Sequence, residues 1–207
     1  ALLLAAGKKL PTREFIHGFF TINGQKISKT LGNIIDPIEI INKFGTDAAR
    51  YILLSQFPFG QDGDIKEEKF SEKYNSDLAN GLGNLTARIL TLVAKNRIKE
   101  AKADKEIEKV VKETKGNYEK LMEDFKLYET LEEIWRLISF CDEYVEKEKP
   151  WENPNSEKSI SNLLYCLSEI ADLIAPFLPE TSEKIKEQIK GSLTSKTGKS
   201  EILFPRL

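Results

Sequence analysis

The chain of 207 residues carries 31 basic and 33 acidic side chains, a formal net charge of −2, and 40% of its residues are hydrophobic. That is core enough for one large domain or two small ones, and it excludes a wholesale polycation, so any nucleic-acid surface must be local. No apolar run approaches the ~20 residues that span a bilayer, and Ala1-Leu-Leu-Leu-Ala-Ala6 is too short, and lacks the basic lead-in, for a signal peptide.

Cys141 and Cys166 fall at apolar helical positions far apart in sequence. They read as buried thiols rather than a disulfide or a metal pair, which points to a reducing cytoplasm. His17 is the only histidine and no CxxC occurs, so no metal site is expected in this chain. The chain starts without Met, in what reads as the end of an apolar helix. It is expected to be part of a longer polypeptide, cut inside a domain.

Ala1 to Ala6 reads as the last turns of a helix stopped at Gly7. Phe15 to Ile22 is rich in aromatic and β-branched residues and is followed by Asn23-Gly24, the strongest short hairpin signal. Gln25 to Ile27 begins the return arm, and Ser28 to Asn33 leaves it as a loop. Asp36-Pro37-Ile38-Glu39 is a helix start with Asp as cap, Pro at the first position and Glu at the third. That helix should end at Gly45, and Thr46 should cap a second one through about Ser55. Phe57 to Asp64 reads as a break, and a domain boundary falls near residue 65.

Past the break the sequence is helical. Leu78, Leu82, Leu85, Ile89 and Leu92 recur at steps of four and three, a core stripe. Lys99 to Lys115 reads as a mostly solvated helix preceded by a loop. Leu127, Leu131, Ile134, Ile138, Cys141 and Val145 form a second stripe, ended by Lys149-Pro150. Ile160, Leu163, Leu164, Leu167, Ile170 and Ile174 form a third, ended by Pro176, and Pro179 to Ile189 a short fourth. Gly191 to Ser200 is polar and expected to be flexible, and Ile202 to Phe204 a docked strand or tail. The fold class is mainly α: a helical bundle preceded by an α/β piece with a short β-hairpin.

Lys26-Ile27-Ser28-Lys29-Thr30 places two ammonium groups around a hydroxyl, between Gly24 and Gly32. Such a loop can stabilise the charge that builds up on a transferring phosphoryl or nucleotidyl group. Lysine suits this as a compact charge on a flexible stem, and a loop beside a hairpin can close over a ligand. Taken alone, the pentapeptide reads as a solvated surface loop. His17 is either a nucleotide contact or a hairpin histidine with a structural hydrogen bond.

The wider string resembles the second signature region of class I aminoacyl-tRNA synthetases, whose consensus is KMSKS. It comprises His17-Gly18, Gly24 to Asn33, Asp36-Pro37 and Phe44-Gly45-Thr46-Asp47-Ala48-Ala49-Arg50-Tyr51. The likeness continues through Phe59-Gly60-Gln61-Asp62-Gly63-Asp64 and Tyr74-Asn75-Ser76-Asp77-Leu78-Ala79-Asn80. Together these resemble the methionyl-tRNA synthetase family over essentially the whole chain. Ile27 replaces the consensus Met as an apolar anchor, and Thr30 replaces the final Ser with another hydroxyl. The resemblance implies that Lys26 and Lys29 stabilise the triphosphate of Mg2+-bound ATP as methionine attacks the α-phosphate, Lys29 with the larger effect. His17, Gly18 and Ser28 would complete the ATP contacts.

Beyond the break, Asn84, Arg88, Thr91 and Lys95 share one face opposite the apolar stripe. Gly83 to Lys102 holds five basic residues and one acid, Glu100. That is either an ordinary solvated face or a local basic patch. Trp151, in a Pro-bounded loop, either plugs the bundle or offers a stacking platform for an unpaired base. The family resemblance selects a role: an Asn-x-x-x-Arg pair and a Pro-Trp at these positions read the anticodon, here Asn84, Arg88 and Trp151. It also implies tRNA(Met), ATP and methionine as partners, with neither DNA nor membrane.

By the same resemblance, residues 1–65 are the end of a Rossmann-type catalytic domain with connecting helices, and residues 66–207 an anticodon-binding bundle. The sequence contains no HIGH motif. Two functions follow: the carboxy-terminal part of a methionine–tRNA ligase, inactive on its own, or a non-catalytic tRNA-binding module derived from one. A helical structural protein with an accidental loop leaves the combined motifs unexplained.

Overall fold

The structure, a computed structural model, describes residues 1–22, 24–28, 30, 32–58, 60–66, 68–153, 155–194 and 201–207. Helix α1 (Leu2–Ala5) is a single turn, followed by Gly7 at φ 65°. Strand β1 (Phe20–Ile22) pairs antiparallel with β2 (Gln25–Lys26), Thr21 opposite Lys26. The expected hairpin is present, with Gly24 at φ 72°; Asn23 lies outside the described residues. The regular strand is shorter than the apolar run that announced it. Parallel to β1 lies β3 (Gly63–Ile65), with Thr21 opposite Asp64. The stretch expected as a plain break thus supplies a third strand. Gly63 suits it because a Cβ there would collide with the Phe57 ring.

Helix α2 (Pro37–Phe44) begins as read: the Asp36 carboxylate accepts the Ile38 N–H at 2.8 Å, and Gly45 at φ 85° ends it. Helix α3 (Thr46–Leu54) follows at once. Gly45 occupies the cap position, and Thr46 is the first helical residue rather than the cap.

Helix α4 (Glu68–Lys73), a π-helix (Tyr74–Gly83) and α5 (Asn84–Asn96) run on without interruption. They make one rod of about 40 Å. The π-turns are wider than the regular helix expected here. Leu78, Leu82, Leu85 and Ile89 are nevertheless all fully buried.

The bundle is completed by α6 (Lys105–Glu123), α7 (Leu127–Glu148), α8 (Glu157–Ile174) and α9 (Pro179–Thr194). Helix α6 packs on α7, α7 on α8, and α8 on both α9 and α5. The second and third stripes line these contacts, from Leu131 to Val145 and from Ile160 to Ile174. Cys141 and Cys166 are free and buried, and contact with Cys166, then burial, pushes the Cys141 thiol up. Helix α9 extends beyond the short helix expected, so 191–194 are helical, while residues 195–200 lie outside the described set. The tail forms no strand; Phe204 is buried, its ring 6.0 Å from that of Tyr74.

Helices α5 and α7 run parallel, because Gly81 lies beside Trp135 and Arg88 beside Asp142 and Glu146. Their carboxy-terminal ends therefore share one end of the bundle. The front segment docks at the other. Arg50 donates to the carbonyls of Pro176 (2.7 Å) and Phe177 (2.9 Å), and Asp47 accepts the Thr181 N–H at 2.7 Å. The Tyr51 hydroxyl donates to Asp77 at 2.7 Å, and its ring stacks on Trp135 at 4.5 Å. One apolar core extends from Ile40 to Phe204.

Asp104 caps α6 by accepting the N–H groups of Glu106 and Ile107. It also meets Lys158 and the Asn162 amide, each at 3.0 Å. Those contacts, Lys158 foremost, hold its carboxyl down at about 2, against a usual 3.8. A depressed folded-state value gives stability that is present above the usual value and lost as pH falls through 2. We predict that Asp104→Ala destabilises the fold by about 1 kcal/mol at neutral pH and flattens the acid limb below about pH 4. Thermal melts across that range check it; an unchanged acid limb contradicts it.

Candidate functional site

The lysine loop is built on the hairpin and held from two directions. From β3, Asp64 Oδ1 accepts the Gly24 N–H at 2.8 Å and the Thr21 hydroxyl at 2.9 Å. The Gly24 amide first, then Thr21, hold the Asp64 carboxyl below the usual carboxylate range. Asp62 accepts the Phe19 N–H at 2.7 Å. From within the loop, the Asn33 side chain accepts the Ser28 N–H at 2.9 Å and donates to the Lys26 carbonyl at 3.0 Å. The Gly32 N–H closes a turn onto the Ser28 carbonyl at 3.1 Å.

Lys26 sits on β2 with its ammonium 4.3 Å from the centre of the exposed Phe19 ring. Ser28 is in the clamped loop. Lys29, chosen from sequence for the larger effect, lies outside the described residues. The chemistry available here is a mobile-headed cation beside a backbone-defined turn.

His17 is exposed, with Nδ1 2.8 Å from the Gly18 carbonyl oxygen. Both residues border a cavity of about 180 Å³ that is walled mainly by Phe20, Leu53, Leu54 and Phe57. Gly18 is required by close approach: a Cβ there would overlap the Gln61 carbonyl. The cavity is apolar, with His17 and the Gln61 amide among its few polar edges.

Midway along the rod, Asn84 is exposed and opens α5. One turn on, Arg88 is held by α7: Nη2 meets Glu146 at 2.5 Å and Nη1 meets Asp142 at 3.4 Å. Burial pushes the Asp142 carboxyl up, Arg88 opposes this and Glu146 adds to it. Trp151 is 45% exposed, and its indole N–H donates to Glu152 at 3.3 Å. It is a surface ring rather than a plug; Pro150 beside it is the buried member.

The two halves of the chain also match separately described families in the same order. Residues 1–90 match the family described as tRNA synthetases class I (M), and residues 104–204 the one described as anticodon-binding domain of tRNA ligase. The chain belongs to the methionyl-tRNA synthetase family. The methionine–tRNA ligase of Clostridium tetani is 38% identical over all of the chain. That of Thermotoga maritima is 37% identical over 91% of it. A solved methionyl-tRNA synthetase of Mycobacterium tuberculosis, in complex with methionyl-adenylate, superposes with a TM-score of 0.77 at 30% identity. It covers 99% of this chain, which is 46% of that one. The chain spans 36% and 32% of the length of the two ligases.

Sequence reasoning placed the lysines but assigned no part to Asp64 or Asn33, which hold their loop, nor to Asp142 and Glu146, which hold Arg88. Asp64 and Asn33 stood inside the strings that carried the resemblance. The acids of α7 were visible as an i, i+4 pair, but nothing local says which cation faces them. We predict that Asp64→Ala speeds amide exchange at Gly24 at least several-fold and leaves the melting temperature of the bundle almost unchanged. Residue-resolved hydrogen exchange checks it; unaltered protection at Gly24 contradicts it.

Proposed function

We propose that this chain is the part of a methionine–tRNA ligase that supplies the ATP loop and reads the anticodon. Residues 1–65 serve the catalytic domain and residues 66–207 the anticodon-binding bundle. The reaction is activation of methionine by Mg2+-bound ATP, followed by transfer to tRNA(Met) in the cytoplasm. Lys26 and Lys29 stabilise the triphosphate as the methionine carboxylate attacks the α-phosphate and pyrophosphate departs. Ser28 adds a hydroxyl donor, and His17 and Gly18 meet the nucleotide beside the cavity they border. Asn84 and Arg88 contact base edges or phosphate of the anticodon, and Trp151 stacks under its first base.

The observation that carries this reading is the joint survival of both ends. The lysine loop is held by Asn33 and Asp64, and Trp151 stands exposed at the opposite end of the rod. A module that only bound tRNA would need no lysine loop. A second support is the apolar surface of the front segment. Leu2, Leu4, Leu10, Ile16 and Phe19 are each more than half exposed, which fits a segment that packs against further catalytic-domain structure.

The test is a chimera in which residues 1–207 replace the aligned segment of the Clostridium tetani ligase. We expect ATP–pyrophosphate exchange in the chimera and a fall of about 10²–10³-fold with Lys29→Ala. Trp151→Ala should leave exchange intact and weaken tRNA charging by about 5- to 150-fold, the range for one lost stack. A chimera that binds tRNA but shows no exchange would instead favour the non-catalytic module.

A further inference from the structure

Helices α5 and α7 end side by side, and both end in the same unusual way. Arg97 closes α5 at φ 55°, ψ 42°, and Lys149 closes α7 at φ 41°, ψ 59°. Glycine, or less often asparagine, is the usual residue in this left-handed conformation. The turns do not need the cations. Ile98 N–H reaches the Val93 carbonyl at 3.1 Å and Lys149 N–H the Val145 carbonyl at 3.0 Å, bonds that a glycine would make equally well. Nor does the helix dipole need them, since Lys95 and Lys147 already stand in the last turns.

The loop after Arg97 is fixed. Ile98 is buried, and the Ser161 hydroxyl of α8 accepts the Lys102 N–H at 2.9 Å. The same hydroxyl lies within hydrogen-bond reach of the carbonyls of Glu100 and Lys102. Asn162 accepts the Asp104 N–H at 3.0 Å. Lys95, Arg97, Lys99 and Lys102 are all exposed. Among the described residues, the ion pairs near this end involve Arg88 with Asp142 and Glu146, Lys158 with Asp104, and Lys149, the last only loosely, 3.9 Å from Glu152. Trp151 is the large exposed apolar side chain beside them. Exposed cations on an anchored loop, at the same end of the bundle as an exposed ring, fit a single-stranded nucleic acid platform. A membrane surface or a protein partner would call for a wider apolar face.

We propose that Arg97, Lys99, Lys102 and Lys149 form a phosphate-binding rim for the RNA backbone that flanks the bases read beside Trp151. This rests on the anticodon reading above and adds sequence-independent affinity to it, with Ser161 as a positioning residue for the loop.

The test uses the 207-residue chain and two short RNA hairpins, one with a CAU loop and one with that loop scrambled. Binding is measured by anisotropy over a salt series. Two double variants are compared with the wild type: Arg97→Gly with Lys149→Gly, and Lys99→Gln with Lys102→Gln. Each pair should weaken both hairpins by the same factor and lower the magnitude of the salt slope by roughly 1.4 to 1.8. The glycine pair should melt at the same temperature or higher, because strain is relieved. An unchanged salt slope overturns the rim, as does a lower melting temperature of the glycine pair or a loss confined to CAU. Trp151→Ala reports on the underlying reading: unchanged CAU preference defeats that reading while the salt slopes still judge the rim. No binding of either hairpin by the wild type overturns both.

Discussion

The molecule depends on one uninterrupted rod, residues 68–96, that joins the three-stranded sheet to the far end of the bundle. Its first turns pack Phe70 and Tyr74 against Phe44 of α2. Its middle meets α3 through Tyr51 and Asp77, a hydrogen bond made where burial, then the charge of Asp77, pushes the phenol up and keeps it a donor. Its second half carries Asn84 and Arg88. A break in this rod would separate the lysine loop from Arg88 and the Trp151 end of the bundle. The fully buried leucines Leu78, Leu82 and Leu85 hold it along the core.

That rod includes π-turns where a regular helix was expected. Leu78, Leu82 and Leu85 keep their buried face through the wider turns, and Trp135 and Phe204 lie beside Gly81 and Gly83. A periodic stripe announces a helix and its inner face. It does not announce how its hydrogen bonds are shared, since the same inner face is kept in either helix type. The third strand escaped detection as well. Gly63-Asp64-Ile65 has little strand propensity of its own and is ordered by pairing with β1.

What the sequence did make plain were local matters: the Asp36 cap with its proline, the Gly24 turn, the three apolar stripes and the solvated face of α5. The site was legible as a set of residue types, because lysines around a hydroxyl and a tryptophan after a proline carry their chemistry with them. The supports were not, because each is a long-range contact. Asp64 reaches back 40 positions to Gly24, and Arg88 reaches forward 54 and 58 to its acids. Such pairs decide whether a side chain is poised or merely present.

In the proposed function the two ends divide the labour, nucleotide chemistry at the hairpin and RNA at the end where α5 and α7 stop. Hydrogen-exchange footprinting of the chain with a CAU-loop RNA hairpin tests that division most directly. Protection should appear across residues 84–97 and 149–156 and be absent from the hairpin at 20–28. Protection centred on the hairpin, with the Trp151 end unchanged, would contradict it.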